Sequence, residues 1–152
     1  MKPVVIIGAD HAGYRLKERL KLMLVKQEYE VLDFGTTSTA DVDYPDFVIP
    51  VAEAVSAARG AAIGIVLGGS GNGEAMAANK VRGIRAVLCY DAKTAKLARE
   101  HNDANVLALG ARTSTGNAAR ATRVVHVFLT TPFSRASRHV RRLRKIAAYE
   151  TR

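Results

Sequence analysis

Ile63-Gly-Ile-Val-Leu67 runs directly into Gly68-Gly-Ser-Gly-Asn-Gly-Glu-Ala-Met-Ala-Ala-Asn-Lys80. A short, continuously apolar run reads as a strand buried on both faces, as in a parallel sheet covered by helices. Gly68, Gly69, Gly71 and Gly73 then free the backbone to curl closely around a ligand with its N–H groups turned inward. From Glu74 onward the residues favour helix, so the loop empties into a helix N-terminus, where anions are favoured. Glu74 is the unusual member, a carboxylate where a plain phosphate cradle calls for a lysine or a neutral residue.

Two familiar glycine motifs fail at that residue. Gly68 and Gly73 have the spacing of a nucleotide-triphosphate loop, but Glu74-Ala75 replaces the required lysine and hydroxyl. Gly69 and Gly71 begin a dinucleotide fingerprint, but Glu74 stands where its last glycine belongs, and the segment follows the third strand rather than the first.

Working outward, strands and helices alternate. Val4–Ile7 reads as a strand ending in Gly8-Ala-Asp-His-Ala-Gly13, and Tyr14–Lys26 carries Leu16, Leu20, Met23 and Leu24 at helical spacing. Glu30–Phe34 is a second strand and Asp46–Ala58 a helix introduced by Tyr44-Pro45. A fourth strand is expected at Arg85–Cys89, a helix at Ala92–Glu100, a fifth strand at Val106–Leu109 and a helix at Thr115–Leu129. A last basic helix follows Pro132, over Ser134–Tyr149. The expected fold is an α/β, three-layer, doubly wound sheet of the Rossmann or flavodoxin kind, with five parallel strands in one domain over residues 1–152. In such sheets ligands bind beyond the carboxyl ends of the strands. That rule gathers Asp10, His11, the Gly69–Glu74 loop and Arg112. His101 and Asn102 follow the fourth helix, and their place depends on where that helix ends.

Charge is unevenly spread. Residues 1–109 hold 13 Lys+Arg and 13 Asp+Glu, whereas residues 110–152 hold 10 Lys+Arg against Glu150 alone, so the tail carries the whole formal charge of +9. Nine of those ten cations are arginines, whose planar fork suits phosphate. Nucleic acid is one reading of such a tail, but no aromatic stacking set accompanies the arginines and tryptophan is absent. No run of about twenty apolar residues is available to span a membrane. The single cysteine, Cys89, sits in an apolar strand and reads as a core thiol in a reducing cytoplasm.

Glu74, His101, Asp10 and His11 form an acid–base set, while Ser70 and the loop amides are donors for developing negative charge. Proton abstraction next to a carbonyl needs that combination. Arg112 and the C-terminal arginines suit the phosphate of a short sugar, and the Cys/His spacing carries no metal site. The set points to metal-free aldose–ketose isomerisation of a phosphosugar. Plainer readings stand beside it: Glu74 as a first-turn carboxylate complementing the helix dipole, the histidines as structural, and Arg138, Arg141 and Arg142 as a solvated face. His126 and His139 have no catalytic role on sequence grounds.

Gly8-Ala-Asp-His-Ala-Gly13, Asp43-Tyr-Pro-Asp46, Gly68–Lys80, Leu97-Ala-Arg-Glu-His-Asn-Asp-Ala-Asn105 and Ser137-Arg-His-Val-Arg-Arg142 run in one order along essentially the whole chain. Together they resemble the type B ribose-5-phosphate isomerases, a family that also includes galactose-6-phosphate isomerase subunits. The resemblance implies interconversion of ribose 5-phosphate and ribulose 5-phosphate through an enediolate, in the pentose phosphate pathway. It also implies no cofactor and a homodimer or dimer of dimers with shared pockets. Many members carry a cysteine base where this chain has Gly68, and a threonine at Ser70. This chain resembles instead the actinobacterial-type branch, in which the glutamate, here Glu74, is the base. Ser70 then steadies the enediolate, and His101 opens the furanose ring with help from Asp10. His11, Arg112, Arg138 and Arg142 match phosphate contacts, while Gly69, Ser70, Gly71, Asn72, Gly73, Asp10 and Asn102 match sugar contacts. Ser134-Arg-Ala-Ser137 departs from the glycine pair that many members have there. A preference for allose, galactose or tetrose phosphate, or a non-catalytic partner subunit, is the alternative within the family.

Overall fold

The apolar run around Ile65 forms β3 (Ala62–Gly68), buried at every residue, at the middle of the sheet. The computed structural model describes residues 1–151. Around β3 stand β1 (Val4–Ala9), β2 (Val31–Asp33), β4 (Ala86–Leu88) and β5 (Val106–Gly110), all parallel, in the order β2-β1-β3-β5-β4. The last two strands are transposed relative to their sequence order.

Among the described residues stand six α-helices: α1 (Tyr14–Lys26), α2 (Pro45–Ala57), α3 (Asn72–Ala78), α4 (Ala92–Asn102), α5 (Ala118–Thr130) and α6 (Ser137–Glu150). Successive strand residues point to opposite faces, so each strand feeds two cores. Val5, Ile7, Ile65, Leu67, Leu107 and Leu109 pack against α1, α4 and α5 through Leu20, Ala98 and Phe128. Ile6, Val66, Val106 and Ala108 pack against α2 and α3 through Val48, Val51 and Ala78. Each such aliphatic side chain contributes roughly 1.5–3 kcal/mol on leaving water, which is why these layers hold without a disulfide. Among the described residues no helix is long and apolar enough to cross a membrane.

Three differences from the sequence reading matter for the site. α4 runs to Asn102 rather than stopping at Glu100. Asp91 and Thr94 cap its start reciprocally, and nothing ends it before Asp103, which turns the chain at φ 44°. α3 begins at Asn72, so Glu74 lies within its first turn. α6 begins at Ser137 rather than Ser134, because Arg135 takes φ 55° and the Ser134 N–H donates instead to the Glu100 carbonyl.

The topology creates two chemically distinct edges. α1 and α3 leave β1 and β3 towards opposite faces, which opens a crevice at the carboxyl ends of those strands. α4 travels the other way, from the carboxyl end of β4 to the amino end of β5. Its 11 residues cover about 16 Å at a rise of about 1.5 Å each, so its last turn stands at the amino edge.

Candidate active site

At the carboxyl edge, Gly71 adopts φ 82° as the residue preceding α3, a conformation that an L side chain rarely takes. That turn folds the helix back so that Glu74 hangs over the end of β3, only 3% exposed. Its carboxylate lies where a side chain at position 68 would begin: a Cβ on Gly68 would overlap the Glu74 carboxyl group. The missing side chain at 68 and the carboxylate at 74 are therefore one structural feature.

Burial pushes the Glu74 carboxyl above its ordinary range, and the negative charge of Asp10 adds to that. Amide N–H groups of Glu74 itself and of Gly71 pull the other way without reversing it. Asp10 is also buried, and its Oδ1 accepts the Gly13 N–H at 3.0 Å. A carboxyl lifted by burial beside a second acid holds a proton more readily than a free one, which suits it to taking a proton and returning it.

The rest of this edge is tied to the strand ends. Gly68 and Gly69 carbonyls accept the N–H groups of Ala111 and Arg112 at 2.8 and 2.9 Å, extending the β3–β5 pairing into the loop. The Arg112 guanidinium consequently lies beside Gly69, its Nη1 3.6 Å from where a Cβ would stand. Ser70 is exposed and its Oγ accepts the Asn72 N–H at 3.2 Å. Tyr44 backs Gly73 so closely that a Cβ there would come within 2.7 Å of the tyrosine ring. His11 Nδ1 is 3.2 Å from both the Val42 N and O, and its Nε2 is 3.6 Å from the Asp41 carboxylate. His11 lines a cleft with Asp41, Val42, Asp43, Asp46 and Phe47.

The amino edge holds the remainder. His101 is half-buried in the last turn of α4, with its ring centroid 4.3 Å from that of His139 on α6. Asn102 is exposed, and its carbonyl accepts the Arg85 Nε–H at 3.0 Å. Arg138 and Arg142 are exposed on α6. The expected gathering at the carboxyl edge holds for Asp10, His11, Gly69, Ser70, Gly71, Asn72, Gly73, Glu74 and Arg112. His101 and Asn102, whose place was left to the end of α4, stand at the other edge because α4 is antiparallel to the strands, and Arg138 and Arg142 lie there on α6. A cleft of about 750 Å³ opens at this edge as well, among Lys2, Arg59, Arg85, Arg99 and Asn105. Its carboxylate, Asp103, is already engaged by Arg85 and Arg99 at 3.2 Å each, so the cleft has no free base.

Tyr44 stands where the sequence rule brings it, in the loop after β2 at the carboxyl edge. His139 had no catalytic signal in the sequence, since one histidine in an arginine-rich helix reads as surface.

Comparison with known proteins supplies the frame for this geometry. A family model described as Ribose/Galactose Isomerase matches residues 5–146. Ribose-5-phosphate isomerase B of Mycobacterium tuberculosis strain H37Rv is 49% identical over 147 residues, covering 96% of this chain and 89% of that protein. The solved structure of Clostridium thermocellum ribose-5-phosphate isomerase B is 46% identical, with a TM-score of 0.91 over 97% of each chain. That of the Mycoplasma genitalium ribose-5-phosphate isomerase B with bound ribulose-5-phosphate is 39% identical, with a TM-score of 0.93 over 99% of this chain and 98% of that one.

Proposed function

Because the chain belongs to the Ribose/Galactose Isomerase family, we propose that it interconverts ribose 5-phosphate and ribulose 5-phosphate, with Glu74 as the base. The carboxylate takes the proton from C2 of the open-chain aldose, and the electron pair left behind moves into the C1 carbonyl. The resulting enediolate is held by Ser70 and the amides of the Gly69–Gly73 loop, donors that gain most when the charge develops. The O2 proton passes to O1, which shifts the negative charge to O2; the same group, now a carboxylic acid, then returns its proton to C1 as the C2 carbonyl forms and the ketose results. The single observation that carries this reading is the buried, upward-shifted Glu74 carboxylate lying in the space that Gly68 leaves empty.

The ring must open first. His101 donates a proton to the furanose ring oxygen while Asp10 takes the C1 hydroxyl proton, so that the C1–O ring bond breaks and the aldehyde forms. His11, Arg112, Arg138 and Arg142 hold the phosphate, and Asn102 holds the sugar. Since α4 separates His101 from Glu74 by the depth of the sheet, a complete site draws on two copies of the chain. Glu74, Asp10, His11 and Arg112 come from one subunit, and His101, Asn102, Arg138 and Arg142 from the other. α6 supports that assignment: it is amphipathic, with Val140, Leu143 and Ile146 on its apolar spacing, yet buries only His139 in its own chain. A partner subunit is its natural cover, in a homodimer or a dimer of dimers.

The test is NMR-monitored exchange of ribose 5-phosphate with ribulose 5-phosphate by the purified protein in excess EDTA, alongside allose, galactose and erythrose phosphates. The ribose pair should give the highest kcat/KM, undiminished by chelation. Absence of turnover on every sugar would remove the isomerase reading, and a higher kcat/KM on a hexose phosphate would reassign the substrate.

A further inference from the structure

The one residue that α6 buries is a histidine. His139 is 4% exposed and contacts the His101 ring, centroids 4.3 Å apart and planes tilted by 38°. Its Nδ1 lies 2.8 Å from Ser134 Oγ. Ser134 is itself fixed at both ends: its N–H donates to the carbonyl of Glu100 at 3.0 Å, and its Oγ accepts the Ala136 N–H at 3.3 Å. Glu100 is the residue before His101. A closed circuit therefore joins the last turn of α4 to the first turn of α6, through Ser134 on the backbone side and through the two imidazoles on the other. An ordinary helix anchor would be aliphatic; this one is a titratable ring, hydrogen-bonded and set against the residue that opens the sugar.

We propose that His139 is a positioning residue, which holds the His101 imidazole in place by ring contact while Ser134 sets the angle of the His139 ring. The proposal rests on the reading of His101 as the ring-opening acid. Neither residue touches the sugar; both act through His101. The groups facing His139 are His101 from α4 and, on α6 itself, Arg138 and Arg142. Burial, then His101, then the two arginines hold His139 below the usual histidine range, against a smaller opposing pull from the Glu100 carbonyl. His139 therefore takes a proton less readily than an ordinary histidine, and it sets an aromatic face against the His101 ring.

Ser134 also gives the departure at residues 134–137 a purpose. A glycine pair has no hydroxyl to offer Nδ1, whereas Ser134 places one 2.8 Å from it.

The experiment is a proton NMR titration of the His101 Cε1–H resonance in the full-length protein, wild type against His139→Phe and Ser134→Ala, with kcat–pH profiles of the same proteins. His139→Phe keeps an aromatic ring of similar size but has no Nδ1, and Ser134→Ala removes the tether together with the acceptor of the Ala136 N–H. The expected result is a His101 midpoint moved by about half a unit or more in His139→Phe and in the same direction, by less, in Ser134→Ala. With it should come a roughly ten-fold fall in kcat for His139→Phe at a KM changed less than about three-fold. A folded His139→Phe protein with an unmoved His101 midpoint and an unmoved kcat–pH profile overturns the proposal, as would a change confined to Tm. Full turnover by His101→Asn would instead overturn the acid assignment, and the NMR midpoint reads the ring coupling independently of it.

Discussion

The two edges of the sheet are built on opposite principles. At the carboxyl edge the reactive groups are buried and fixed by the backbone: Glu74 and Asp10 sit under the loop, and the β3–β5 ladder extends into Gly68 and Gly69. At the amino edge Asn102, Arg138 and Arg142 are exposed, His101 is half-buried and His139 is withdrawn from water. On the proposed assignment, the base is preorganised by its own chain, whereas the acid and half of the phosphate clamp would become a site only against a second subunit.

The sharpest way to break that contrast is at Glu74. Glu74→Gln should lower kcat by roughly 10²–10⁴-fold with substrate binding and fold retained, since only the proton acceptor is lost. Steady-state kinetics with a phosphosugar binding measurement will read it, and turnover within a few-fold of wild type would move the base elsewhere. Next comes Gly68→Ala, whose methyl must displace the carboxylate it overlaps. Turnover should fall by about 100-fold and Tm should drop by several degrees, as expected for overpacking at a buried site. An active, equally stable Gly68→Ala protein would mean that the carboxylate does not need that space.

The clamp tests whether phosphate is gripped from both edges. Arg112→Ala, on the carboxyl edge, and Arg142→Ala, on the amino one, should each raise KM by about 10–100-fold with a smaller effect on kcat. An effect at one arginine alone would assign the phosphate to a single edge.

The smallest effect is on stability. Because the folded-state value of Glu74 is raised above 4.5, the protonated form is the one the fold prefers, and ionisation costs stability as pH climbs through the raised value. Glu74→Gln should therefore melt a few degrees higher than wild type at pH 7, and the gap should close below about pH 4.5. Calorimetry at the two pH values checks the sign; a Gln variant less stable at pH 7 contradicts it.

How far these edges could be foreseen differs for physical reasons. The carboxyl edge was legible because its signals are local: an apolar strand, glycines and a carboxylate within one short segment, and a rule that parallel sheets bind ligands at one end. The transposition of β4 and β5 was not, since the short apolar runs at Ala86–Leu88 and Val106–Gly110 carry nothing to say which lies nearer β3. The place of His101 depended on two more residues of helix, decided by Asp103 and the arginines that pin it. His139 was invisible because its partners, His101 and Ser134, come together only when α6 folds back on α4.

The division of one site between two subunits is tested most directly by mixing two inactive proteins. Glu74→Gln and His101→Asn would be purified separately, combined in equal amounts, dissociated, allowed to re-pair and assayed for ribose 5-phosphate isomerisation. Half of the randomly re-paired dimers are mixed, and each mixed dimer holds one site with an intact Glu74 and an intact His101. The mixture should therefore recover about a quarter of wild-type turnover. Activity no higher than that of either variant alone, with subunit exchange verified, would contradict a site shared between the two edges.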